Sequence, residues 1–367
     1  MNEENLMQYN RWMKTLVVAL VLTLVVPMSA ALAQGPDPIV LPEVDPLSVT
    51  GDIAIAGSST VEPITVAMAA RFNDDGFAGN ITIAETGTGA GFERFCGEGS
   101  TDISNASRPI KDSEQENCAA IGREVLEFRV GTDAITVVVN KDNDFVTELK
   151  RSELIKMFAG EVKQWNEINP DWPAEEIQLF TPGTDSGTFD FFGEAVLGTK
   201  GMYAEAEART DALLAANPTV SENDNTLVEG VKGSPYAIGY FGFAYYLANQ
   251  DDLTAIAIAN DVTFDDADNL VVIPEEEWTA DTEKPIEYIT PDEETAEAGT
   301  YMLSRPLFIY SAANILSEKP QVAAFISYYL TNADEVVMEV GYFPISIEAL
   351  NVSKQVWLDA TGVVAAQ

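Results

Sequence analysis

The chain has 367 residues, with 59 Asp and Glu against 20 Lys and Arg, no His and two Cys, for a formal net charge of −39. At 46% hydrophobic and 22% charged residues it can bury real cores, so its acidity belongs to a lopsided surface rather than a disordered tail. Without His there can be no Ser-His-Asp or Cys-His machinery and no His-ligated zinc or haem. The Lys and Arg are not clustered, which argues against nucleic acid as a partner.

In chain order, Arg11 and Lys14 precede an apolar run over 16–26 that ends in Ala31-Leu32-Ala33. This predicts a signal peptide over 1–33, cleaved after Ala33, and a periplasmic or secreted product. An uncleaved anchor is the alternative, though a span needs about 20 apolar residues. Residues 34–49 form a Pro-rich leader. Two Cys in an exported chain predict a Cys96–Cys118 disulfide, worth roughly 3 kcal/mol in the chain-entropy model; two buried free thiols are the alternative.

From Gly51 a unit recurs: a short β-rich run, a turn of Ser, Thr and Gly, then helical periodicity. The first is Ile53 to Ala56, then Gly57-Ser58-Ser59-Thr60, then Val61, Ile64, Ala67 and Met68 on one face, with Pro63 in the first turn. The second runs from Ile81 to Ala84, then 86–91, then 92–95. The third runs from Ile177 to Phe180, then 183–188, then Phe189, Phe192 and Val196. A buried strand is predicted over 134–139, a capped helix from Ser152, and an acidic surface excursion over 263–298. Strands alternating with helices predict α/β architecture with mostly parallel sheets.

Such turns expose unpaired N–H groups and hydroxyls, which hold anions without needing a cation, although Ser, Thr and Gly before a helix are also ordinary caps. No turn has the Gly-Lys-Ser/Thr of a P-loop, and no Gly-x-Gly-x-x-Gly supports a dinucleotide.

GSSTVEP (57–63), GTGAG (87–91), DISNASRPI (102–110), TPGTDSGTFDFF (181–192), SPYAIGYFGFAYY (234–246) and YMLSRPLFIY (301–310) together resemble the phosphate-binding proteins of ABC phosphate uptake systems. The resemblance spans about 51–350. It implies a type II periplasmic binding-protein fold: two α/β lobes, 50–131 plus 303–367 and 132–302, joined by two crossing strands near 131–136 and 298–303, with the ligand cleft between them. It also implies a monomeric, non-enzymatic receptor with neither cofactor nor metal, which takes inorganic phosphate and delivers it to an ABC permease.

Position by position, the resemblance assigns the anion to Thr60, Val61, Thr88, Ser186, Gly187 and Thr188. Two positions depart from the family pattern. Ser107 stands where the family carries an Asp, and Pro182 where it carries an Arg. Arg108 offers a nearby cation, with a surface salt bridge as its alternative role. Since hydrogen phosphate carries a proton and sulfate does not, a carboxylate that accepts the proton selects phosphate. With Ser107 in the family's position, Asp185 is a candidate acceptor, or else a helix cap. The same fold could take sulfate, molybdate or a phosphonate. A secreted phosphatase using Ser186 or Thr60 would lack a visible general base.

Overall fold

The computed structural model describes residues 36–278 and 286–366. The predicted signal segment lies outside them. Among the described residues no helix is long and apolar enough to cross a membrane.

The described chain is organised on a nine-stranded sheet. Its outer strands are parallel: Ile53–Gly57 pairs Ile81–Glu85 on one side and Ile103–Ala106 on the other. At the far end Gln178–Thr181 pairs Thr219–Val220 and Ala237–Gly242. The middle is antiparallel, which the repeated strand–turn–helix pattern did not predict. There the long strand Val125–Asn140 pairs the return strand Ser304–Ala312 along its first half and Ala237–Gly242 along its second. The return strand also lies antiparallel to Ile103–Ala106. The chain thus passes from one half of the molecule to the other within a single unbroken strand.

Each half has its own core. One is built from residues such as Ile55, Met68, Phe72, Phe128, Phe325 and Tyr329. The other uses Val137, Phe158, Trp165, Phe192, Tyr240 and Tyr301. The helix Glu62–Asp74 shows how sequence sets the packing: Ile64, Thr65, Met68, Ala69 and Phe72 are buried at helical spacing. Each large apolar side chain there contributes roughly 1.5–3 kcal/mol. Cys96 and Cys118 are joined by a disulfide in the first core.

The Pro-rich leader is pinned down from Ile39, whose N–H donates to Asn351 Oδ1 at 2.7 Å, while Leu41 is buried. Two expectations need correction. The helix Arg151–Phe158 is capped at Lys150 through Glu153, whereas the Ser152 hydroxyl donates to buried Asp261 at 2.5 Å. The acidic excursion begins as a β-hairpin of Val262–Phe264 and Leu270–Val272, because Asp265 Oδ1 accepts from the N–H groups of Ala267 and Asn269 and closes the turn.

Candidate functional site

The three Ser/Thr/Gly turns all sit at the C-terminal ends of parallel strands, where an α/β sheet presents its crevice. Gly57 and Gly91 bring the first two together. Gly57 has φ +146°, and a Cβ there would lie 2.0 Å from the Asn105 carbonyl oxygen; a Cβ on Gly91 would lie 2.5 Å from the Gly57 Cα. Glycine at both positions is therefore a condition of the turns meeting.

The turns frame a cleft of about 380 Å³. From one half of the molecule, Ser58, Ser59, Thr60, Gly87, Thr88, Ser107 and Arg108 line it. From the other half come Gly187, Asp190, Phe191 and Glu194, and from the return strand Arg305. Of the residues expected from sequence, Thr60, Thr88, Ser107, Arg108 and Gly187 are thus brought together. Val61 is buried, with its side chain in the first core. Ser186 and Thr188 flank Gly187, where the Ser186 hydroxyl caps the helix Gly187–Val196 by accepting from the Thr188 N–H at 3.2 Å. Asp185 is exposed and is neither the cap nor a wall of the cleft.

Several of these hydroxyls already have partners. Thr88 Oγ1 lies 3.2 Å from Ser107 Oγ and accepts from the Ser107 N–H. Thr60 Oγ1 accepts from Arg305 at 2.5 Å.

Arg305 also lines the cleft and was not among the residues expected from sequence, although it lies inside the 301–310 run. Its strand register sets it directly opposite Asp133 on the long strand. Nε donates to Asp133 Oδ2 at 3.0 Å, and the two side chains are 11% and 1% exposed. One Nη then donates both to Thr60 Oγ1 and, at 3.2 Å, to the Gly187 carbonyl. The Phe191 ring stacks on the guanidinium at 3.9 Å. One cation therefore touches the first turn, the third turn and the long strand. Burial pushes the Asp133 carboxyl up from the usual range, and the Arg305 charge and hydrogen bond work against that rise.

Arg108 lies on the opposite wall and is differently held. Both of its terminal nitrogens donate to Glu114, at 2.8 and 2.7 Å, and one also donates to the Pro109 carbonyl. Burial alone would raise the Glu114 carboxyl, but hydrogen bonds from Arg108 and the Lys111 N–H hold it below its ordinary value. Among the described residues, no group of three or more His, Cys, Asp or Glu is placed to hold a metal ion. Together the cleft offers hydroxyls, the start of the Gly187–Val196 helix and a tethered guanidinium, a donor set matched to a small oxyanion.

Comparison with known proteins agrees with this geometry. The model of the PBP superfamily domain matches residues 45–333. Protein SphX of Synechocystis sp. is 39% identical over 314 residues, covering 84% of this chain and 83% of that protein. The phosphate-binding protein PstS of Staphylococcus saprophyticus is 34% identical over 292 residues, 80% of each chain. The crystal structure of a possible phosphate binding protein from Planctomyces limnophilus superposes with a TM-score of 0.72 at 36% identity, covering 85% of this chain and 99% of that one.

Proposed function

The chain belongs to the PBP superfamily, among its SphX- and PstS-like members, with the type II fold of two α/β lobes, and on that premise we propose that it is an exported receptor for inorganic phosphate. The anion sits in the cleft between the lobes. It takes hydrogen bonds from the hydroxyls of Thr60, Thr88, Ser107, Ser186 and Thr188, from the main-chain N–H groups of Val61 and Gly187, and from Arg305. Arg108 adds positive charge from the opposite wall. The filled, closed receptor hands phosphate to an ABC permease.

The observation that carries this reading is Arg305: a guanidinium held by a buried carboxylate, with an Nη at the junction of the first and third turns. Hydrogen bonds to a charged ligand contribute roughly 1.5–3 kcal/mol each. At physiological salt, fields from charges about 8 Å or more away are largely screened. Local donors therefore outweigh the net charge of −39. Since that charge opposes the approach of an anion, added salt speeds capture.

Calorimetry of the mature chain with phosphate, arsenate and sulfate, together with a p-nitrophenyl phosphate hydrolysis assay, tests the reading. Phosphate and arsenate are expected to bind without turnover. Failure to bind phosphate, or steady hydrolysis of the ester, overturns it.

A further inference from the structure

A chain of polar side chains crosses the first core. Thr65, Asn105 and Tyr329 are 0%, 1% and 0% exposed, and they come from three elements: the helix Glu62–Asp74, the strand Ile103–Ala106 and the helix Pro320–Glu339. Thr65 Oγ1 donates to Asn105 Oδ1 at 3.2 Å and lies 3.2 Å from the Tyr329 hydroxyl. The Val61 carbonyl is also 3.2 Å from Thr65 Oγ1, but it already accepts the Thr65 N–H. The single hydroxyl proton of Thr65 is therefore the one that serves Asn105.

Asn105 reaches the cleft through its main chain as well. It stands opposite Gly57 in the register of the two parallel strands, and its carbonyl accepts the Ser58 N–H at 2.9 Å. One residue thus holds the segment 58–65 at both ends, Ser58 through the carbonyl and Thr65 through the side chain. Between those ties lie Ser59 and Thr60, which line the cleft, and Val61.

Resting on the phosphate reading, we propose that Asn105 is a positioning residue for the anion, setting the first turn through its paired ties to Ser58 and Thr65 while Tyr329 holds Thr65 from the far side. Asn105 itself is buried and does not touch the anion. What it fixes is where the Thr60 hydroxyl and the Val61 N–H point.

Two further observations support this role. Buried polar groups cost free energy unless they are bonded, and bonded they add little net stability, so a core gains little from this trio that apolar side chains would not supply. What a bonded chain adds is direction. The first turn also has little room to drift. A Cβ on Gly187 would lie 3.4 Å from Thr60 Oγ1 and 3.7 Å from Ser59 Oγ, and Thr60 Oγ1 accepts from Arg305. A displaced first turn therefore disturbs the third turn and the cation together, whereas binding groups have to be held to within about 0.5 Å.

The test is calorimetry with phosphate on the unaltered protein, Asn105→Ala, Thr65→Val and Thr65→Ser, run well below each melting temperature. Leu358→Ala, a cavity in the same core on the C-terminal helix, is the control for lost stability alone. Asn105→Ala and Thr65→Val are each expected to weaken phosphate about fivefold or more, while Thr65→Ser, which keeps the hydroxyl, and Leu358→Ala stay within about twofold. If either of the first pair falls short, or either of the second pair exceeds its limit, the trio is core packing only and the assignment is overturned while the phosphate reading stands. Should Asn105→Ala or Thr65→Val fail to fold, Tyr329→Phe decides: a loss of about twofold or more upholds the assignment and a smaller one overturns it. If the unaltered protein does not bind phosphate, both fall.

Discussion

Two arginines line the same cleft, from opposite walls, and their partners divide their roles. Arg108 meets its carboxylate six residues away, in a chelate that uses both terminal nitrogens. Arg305 meets its carboxylate across 172 residues, through the one nitrogen that leaves an Nη directed at the junction of the first and third turns. Both are cations near the site. What separates them is how much of each guanidinium its own carboxylate consumes. A short-range chelate is cheap to form and satisfies the charge locally; a cross-strand partner fixes the charge while leaving donors available.

The largest expected effect breaks the long-range member. Arg305→Ala removes the cleft's tethered cation and leaves Asp133 buried and unpaired, so phosphate affinity in calorimetry should fall about 100-fold or more and the melting temperature should drop clearly. A loss under about threefold would erase the distinction between the two arginines.

Asp133→Asn preserves the size of the tether but not its charge. Arg305 then loses its fixed orientation, and affinity should fall about tenfold, with the melting temperature also lowered.

Next comes Arg108→Ala. With its donors already committed to Glu114, its loss should weaken phosphate less than about tenfold and cost about 1 kcal/mol or less of stability, since the Arg108 side chain is 31% exposed. The pH dependence has a fixed sign. Glu114 titrates below its unfolded value, so the pair stabilises the protein above the ordinary Glu range, near about 4.3, and this is lost as the pH falls through the lowered folded value. Melting curves of the variant and the unaltered protein should therefore converge in acid.

The smallest effect sharpens the comparison from the other side. Glu114→Gln releases Arg108 toward the cleft and should tighten phosphate about two- to threefold. No change in affinity would mean that Arg108 cannot reach the anion even when freed.

Much of this was legible in the sequence because it is local. Turns such as 57–60 and 183–188 announce themselves by composition, and the glycines that let them meet are part of the same motifs. The pairing of Cys96 with Cys118 followed from counting and compartment, and the structure contains it. Arg305 was hidden for a physical reason. It lies in mid-strand, without a turn signal, and its importance comes from a register that no short window contains. Arg108, in a loop between a strand and a helix, drew attention by proximity, while Glu114 sat in plain view one capping box away. The antiparallel centre of the sheet was likewise invisible to a pattern that repeats strand, turn and helix.

Pro306, beside Arg305, has no N–H to give the sheet, and the register slips one residue further on, between Leu307 and Phe308. The return strand's ladder is therefore weakest just beyond Arg305, where a bulge bends the strand at little loss of hydrogen bonding. The same short stretch of strand thus carries both an irregularity in the sheet and the guanidinium that joins Asp133 to the first and third turns.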